Sequence, residues 1–183
     1  MDDFAEIEKA LDPQRPAGWL AELALDEDED VYLHIVEYPS CPPELLMRLA
    51  QDGDEDVRQT VAGRSDCPPE LFPQLAQDEH WGVRACLTGN ESCPPELLAR
   101  LAGDQYEDIR VAVANHPNCP AAILATLLRD EDPIVRLAAA ENPNLDPADI
   151  EKLIFSLDEN VRQMILARDD VADHVRVAVT LAL

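Results

Sequence analysis

Lysine is nearly absent from this chain. Only Lys9 and Lys152 occur, and Lys plus Arg number 14 against 38 acidic residues, a formal net charge of −24. That charge repels nucleic acid and anionic membrane surfaces and attracts basic partners. No run approaches the roughly 18 uninterrupted apolar residues of a membrane helix. The opening MDDFAEIEKALD has neither a basic n-region nor an apolar h-region, so the expectation is no secretory signal and a cytoplasmic address. Serine is scarce and GxSxG is missing, as are HExxH and any Gly-rich phosphate loop. No strand pattern of any strength appears. What is present is a hydrophobic fraction of 46% in 183 residues, enough for one folded domain that buries about 70% of its unfolded surface.

The five cysteines do not form a disulfide framework. Cys41, Cys67, Cys93 and Cys119 recur every 26 residues and Cys86 stands apart, which suits reduced thiols. No CxxC or CxxH pair supplies a zinc signature. Equivalent positions in stacked helical units lie roughly 8–10 Å apart, whereas one tetrahedral site needs every sulfur within about 2.3 Å of the metal. The cysteines are therefore expected to be small, buried capping residues, and the chain is expected to hold no metal and no cofactor.

The even spacing announces a repeat. CPPELLMRLAQDGDEDVRQTVAGRSD is followed by CPPELFPQLAQDEHWGVRACLTGNES, CPPELLARLAGDQYEDIRVAVANHPN and CPAAILATLLRDEDPIVRLAAAENPN. Weaker copies begin at Arg15 and Leu145. Six copies of 26 tile residues 15–170, between an N-terminal cap, 1–14, and a C-terminal capping helix, 171–183, within a single domain. The last segment has one more Val-Arg pair, Val175 and Arg176, only 14 residues after Val161. Its final RVAVTLAL, apolar and without a polar cap, suggests a terminal helix or a weak end-on homodimer contact.

Each unit reads as two short helices. Cys41 takes the N-cap, Pro42 the first helical position and Glu44 the place of a capping-box acid. Leu45, Leu46 and Leu49 form a buried stripe, repeated by Leu71, Phe72 and Leu75, by Leu97, Leu98 and Leu101, and by Trp19, Leu20 and Leu23. Pro73 falls inside this element and predicts a 3₁₀-like or short first helix in its copy. The second helix starts at an acidic turn, with Asp28, Asp54, Asp132 and Asp158 at one register position and His80 and Tyr106 in the other copies. Its buried face is Val57/Val61, Val83/Leu87, Ile109/Val113 and Val161/Ile165, with small Thr60, Cys86, Ala112 and Ala138 between. Gly63, Gly89 and Asn115 are expected to end it as left-handed C-caps. Helices this short are stable only when stacked, which predicts an all-α solenoid of two-helix repeats.

The unit resembles the leucine-rich repeat variant, a relative of HEAT repeats. IRVAVANHPN at 109–118, VRLAAAENPN at 135–144 and the three CPPEL starts carry the resemblance, which spans residues 15–170. It implies a right-handed superhelix, with α/3₁₀ or α/α pairs. The first-described member has an N-terminal iron–sulfur module; no cysteine precedes Cys41, so that cofactor is not carried over. A HEAT-like Asp-to-Arg spacing of six joins Asp52 with Arg58, Asp78 with Arg84, Asp104 with Arg110 and Asp130 with Arg136. The expectation is an Arg fork held by carboxylates of its own and a neighbouring unit. Tyr32 and Ser156 break the pattern in the flanking copies.

Other polar features argue against chemistry. His34, His80, His116 and His174 fall in unrelated contexts, and no nucleophile–base pair is evident, so no catalytic residue is assigned. Asp52-Gly-Asp-Glu-Asp56 fails as an EF-hand, because positions six and twelve hold Val57 and Gly63. Half of the 38 acids fall in the windows 26–30, 52–56, 78–82, 104–108, 130–134 and 156–160. Stacking places these along one edge with an acid about every 3 Å, close to the 3.4 Å phosphate spacing of one DNA strand. Helix N-terminal preference and solubility explain the same acids.

The reading is a non-catalytic scaffold that offers a concave helical face and an acidic edge to a basic or amphipathic protein, without binding nucleic acid or membrane. The candidate contact residues are Asp54, Asp56, Gln59, Trp81, Tyr106, Val111 and Leu137. The alternative is a nucleic-acid mimic that blocks a DNA- or RNA-binding protein. A DNA-processing helical-repeat protein is a third reading, opposed by the charge.

Overall fold

Among the described residues, proline-rich starts and acidic turns cut the chain into helices of nine residues or fewer. The computed structural model describes residues 35–37, 41–153, 158–169 and 171–181, with the backbone alone for 151–153. The cap 1–14, Trp19, Leu20, Leu23, Asp28, Tyr32, His34 and Ser156 lie outside the described residues.

Two units are distinguished, residues 1–92 and 93–183. In the first, α1 (Pro43–Leu49) and α2 (Glu55–Gly63) precede a 3₁₀ turn (Pro69–Leu71), α3 (Phe72–Leu75) and α4 (Trp81–Thr88). In the second, α5 (Pro95–Leu101), α7 (Ala121–Leu127) and α9 (Pro147–Leu153) are the first helices of successive repeats. They alternate with α6 (Glu107–Asn115), α8 (Pro133–Glu141) and α10 (Glu159–Ala167), and α11 (Asp173–Leu181) follows. Among the described residues every regular element is helical.

The predicted stripes form the core. Leu46, Leu49, Val57, Val61, Leu75, Val83 and Leu87 are buried in the first unit, and Leu98, Leu101, Ile109, Val113, Val161 and Ile165 in the second. Second helices pack on one another: α2 against α4, and α6, α8, α10 and α11 in succession. Fully burying one such aliphatic side chain contributes about 1.5–3 kcal/mol, so each stacked pair offsets the poor intrinsic stability of its short helices. Pro73 sits in the first turn of α3, directly after the 3₁₀ turn. Its missing N–H therefore costs no internal helical bond.

Two capping expectations are corrected. The first helix starts one residue later than the cysteine implies: Pro42 is the N-cap of α1, Pro43 its first residue, and no side chain caps it. Glu44 is thus second in the helix, out of capping-box register. Cys41 lies before the cap, 5% exposed, with Sγ leaning toward the Pro42 carbonyl at 3.9 Å. Leu145 fills the same register position and is also buried, which marks this as an apolar plug. Nor do Gly63, Gly89 and Asn115 adopt left-handed backbone, since no described residue has positive φ. Gly63 and Asn115 are the last residues of α2 and α6, and Gly89 is right-handed at φ −73°. The chain leaves α2, α6, α8 and α10 through extended residues, Arg64, His116, Asn142 and Arg168.

Candidate binding surface

Two side-chain ladders fix the turns that border this surface. In the first, Arg58 sends Nε and Nη2 to the Asp78 carboxylate at 2.8 and 3.0 Å. Its Nη1 donates to the carbonyls of Asp52 and Gly53 at 2.8 and 3.1 Å. Arg110 repeats this on Asp130 at 2.8 and 2.9 Å and on the Asp104 carbonyl at 2.9 Å. Arg84 donates to the Asp78 and Glu79 carbonyls. The sequence expectation is right about the neighbouring carboxylate and wrong about the Arg's own: the home unit supplies backbone oxygen. Each ladder aspartate also accepts, through its carboxylate, from the backbone N–H two residues on. Asp52 accepts from Asp54 N–H, Asp78 from His80, Asp104 from Tyr106 and Asp130 from Asp132. Burial alone raises the Asp78 and Asp130 carboxyls; the Arg fork and these N–H donors outweigh it and hold both below the usual aspartate range.

The second ladder was missed in sequence. Asn90 Nδ2 donates to the carbonyls of Ala62 and Arg64 at 3.1 and 2.7 Å. Asn142 does the same to Ala114 and His116 at 2.7 and 3.1 Å. Arg168 Nη1 reaches Ala140 and Asn142, both at 2.8 Å, and Arg64 Nη1 reaches the Val36 carbonyl. At the ends of α2 and α6 these donors, 26 and 28 residues downstream, satisfy helix C-termini for which left-handed caps were expected. The signal was available: the register positions 64, 90, 116, 142 and 168 hold Arg, Asn, His, Asn and Arg, all side chains with N–H groups.

The predicted contact residues fall in two sets, one in each unit. In the first, Asp54 is half-buried and caps α2 by accepting from Asp56 N–H at 2.7 Å. Exposed Asp56 accepts from Gln59 Nε2 at 2.9 Å. The Gln59 side chain lies over Gly82 at the start of α4, where a Cβ would stand 2.5 Å from Oε1. Next to it Trp81 is 43% exposed, its ring tilted against His80 at 6.0 Å. The Gln59 side chain thus links Asp56 to the start of α4. In the second unit Tyr106, 40% exposed, occupies the N-cap of α6 without a side-chain capping bond. Val111 and Leu137 are half-buried on neighbouring α6 and α8. The same register position on α11 is Val177, 58% exposed, and Ile134 on α8 is 61% exposed.

Acids surround both sets. Glu55, Asp56, Glu79, Glu107, Asp108, Glu131 and Glu159 are all exposed. The first unit also contains a groove of about 430 Å³, which the sequence did not reveal, lined by Val36, Glu37, Gln59, Thr60, Gly63, Arg64 and Cys86. Cys41, Cys67, Cys93 and Cys119 are buried, and burial pushes each thiol up to about 11; Cys86 is only half-buried and shifts in the same direction. Among the described residues no cluster of His, Cys, Asp and Glu has the grouping of a metal site. No helix there is long and apolar enough to cross a membrane.

Comparison with known proteins agrees with this geometry. A family described as Leucine Rich Repeat Variant domain matches residues 5–65, and one described as Leucine rich repeat variant matches 107–132. Among solved structures, the chain is similar to a leucine-rich repeat variant with a novel repetitive structural motif. The TM-score is 0.68 at 28% identity, over 97% of this chain and 80% of that one.

The chain is similar to the leucine-rich repeat variant family in sequence over residues 5–65 and 107–132, and it has the helical repeat fold of that family.

No curated protein matches it. The residues that carry this similarity are the ones seen in structural roles. Val-Arg supplies a core valine and the ladder arginine. The first Asn of the NPN segment at 142–144 supplies the inter-repeat donor, and its second Asn bonds the Pro117 carbonyl at 2.6 Å. Positions 59, 81, 106, 111 and 137 lie outside the signature and vary in residue type between copies.

Proposed function

We propose that this helical-repeat chain is a non-catalytic protein-binding module for a basic or amphipathic protein. The observation that carries this reading is the unequal use of its charges. Arg58, Arg110 and Arg136 are consumed by ion pairs with aspartates, while Glu55, Asp56, Glu79, Glu107 and Asp108 face solvent. Exposed Trp81, Tyr106 and Ile134 stand beside those acids, and large aromatic side chains are enriched in binding hot spots. Acids next to aromatic and aliphatic side chains suit a partner that is cationic and partly apolar.

The same acids keep the mimicry reading open as a competitor. Against it stands the loss of Asp52, Asp78, Asp104 and Asp130 to turn capping, which thins the row of free carboxylates. Affinity capture from the source cell, followed by titration of the isolated partner, tests the proposal. Affinity should fall as salt rises, and excess duplex DNA should not displace the partner. Displacement by DNA supports mimicry, and salt-independent binding contradicts both.

A further inference from the structure

The groove in the first unit bears on what kind of partner segment fits. We propose that it is a slot for an aliphatic side chain of a basic helical segment. This rests on the reading of the chain as a module for basic or amphipathic partners, and it assigns that reading a site.

The floor is small and apolar: Val36 is fully buried, and Thr60, Gly63 and Cys86 offer little side-chain bulk. The groove has a volume of about 430 Å³ and is largely open to solvent, so a partner side chain can enter from outside. Gly63 is the telling residue. Its φ is not positive, so the backbone does not require glycine. A Cβ there would meet only the Cys86 Cβ, at 4.0 Å. Alanine is therefore sterically allowed and, within a helix, favoured over glycine. What glycine does at this position is leave the groove open.

The charge around the slot is negative. Glu37 lines it and is exposed, and Asp56 lies one turn before Thr60, whose hydroxyl donates to the Asp56 carbonyl. Arg64 also lines the groove, but its Nε and Nη2 are held by the Asp66 carboxylate at 2.7 and 2.8 Å and its Nη1 by the Val36 carbonyl. An incoming segment therefore meets acids around an apolar floor. The complementary segment has an aliphatic side chain flanked, at helical spacing, by lysine or arginine.

The test uses the full chain and two synthetic helical peptides of equal positive charge. One has leucine at i, i+3 and i+7, and the other has glutamine there. At about 150 mM salt, calorimetry should show the leucine peptide binding about tenfold tighter, the effect of burying a large aliphatic side chain. Gly63→Leu should abolish that difference and leave binding of the glutamine peptide unchanged. Thr60→Leu, which fills the groove from one turn earlier on the same helix, should do the same, and circular dichroism confirms that each variant folds. Bound leucine peptide should also slow maleimide modification of Cys86 several-fold, with Cys86→Ser identifying the signal. Equal binding of the two peptides to the wild-type chain, or undiminished leucine-peptide binding by both filled variants, overturns the slot alone. Absence of binding by either peptide at low salt overturns the basic-partner reading and the slot with it.

Discussion

Arg136 and Asp158 meet at 2.5 Å across 22 residues of sequence, whereas Arg58–Asp78 and Arg110–Asp130 span 20. The register position of Asp78 and Asp130 falls on Ser156 in the next copy. The arginine takes the next carboxylate along, and Asp158 thereby serves two purposes, since it also caps α10 by accepting from Val161 N–H at 3.0 Å. The pair is more open than its counterpart: side-chain exposures are 21% and 33%, against 8% and 9% for Arg110–Asp130.

That difference predicts unequal stability effects. Removing one member of a buried pair costs about 3–5 kcal/mol, and an exposed pair is worth about 0–1. Arg110→Gln should therefore lower stability by about 3 kcal/mol and Arg136→Gln by about 1. Urea unfolding midpoints measure both, and equal losses would show that burial of the pair does not govern its contribution.

The ladder should also set the acid limit of the fold. The folded carboxyls of Asp78, Asp130 and Asp158 titrate below the usual range, where burial is outweighed by arginine and backbone donors. Groups with a depressed folded value stabilise fully above the unfolded value, about 3.9, and lose that stabilisation as pH falls through the folded one. Unfolding free energy should hold steady above about pH 5 and decline below about pH 4. Asp130→Asn should be less stable near neutrality and show a shallower decline.

The second ladder predicts a specific rescue. Asn142→Leu strands the carbonyls of Ala114 and His116 and should cost about 1–3 kcal/mol. Asn142→Arg should recover part of this, because Arg168 makes the equivalent bonds to Ala140 and Asn142. Thermal unfolding of the two variants separates donor loss from a simple change of side-chain volume.

Thiol reactivity should single out one cysteine. Cys41, Cys67, Cys93 and Cys119 are buried and raised to about 11, so at about pH 8 they are protonated and shielded. Maleimide mass labelling of the native chain should modify Cys86 first and the other four only with unfolding. Fast labelling of Cys93 in the native state would contradict the packing described for it.

Periodicity made the repeat legible, because 26-residue spacing and the stripes at Leu45/Leu46/Leu49 and Val57/Val61 are local patterns. Pro73 was legible for the same reason, since proline's constraint acts within its own turn. The errors were non-local. A glycine at position 63 looks like a left-handed cap until Asn90, 26 residues beyond Arg64, supplies the missing donor. For Arg58 the neighbouring carboxylate was foreseen and is Asp78, but the Asp52 carboxylate accepts from Asp54 N–H and leaves only its carbonyl to the arginine. The groove was invisible because its walls come from separate copies. Of the candidate contacts, Trp81 and Tyr106 could be read as turn aromatics, but the link from Asp56 through Gln59 to Gly82 needs the stacked helices.

The salt dependence of partner affinity tests the central claim most directly. The captured partner should be titrated from about 50 to 500 mM salt against the wild-type chain and a variant with Glu55→Gln, Asp56→Asn, Glu107→Gln and Asp108→Asn. Binding through the acidic turns predicts weaker affinity for the wild type as salt rises, with a smaller slope in the variant. Equal slopes, or affinity that does not change with salt, would contradict it.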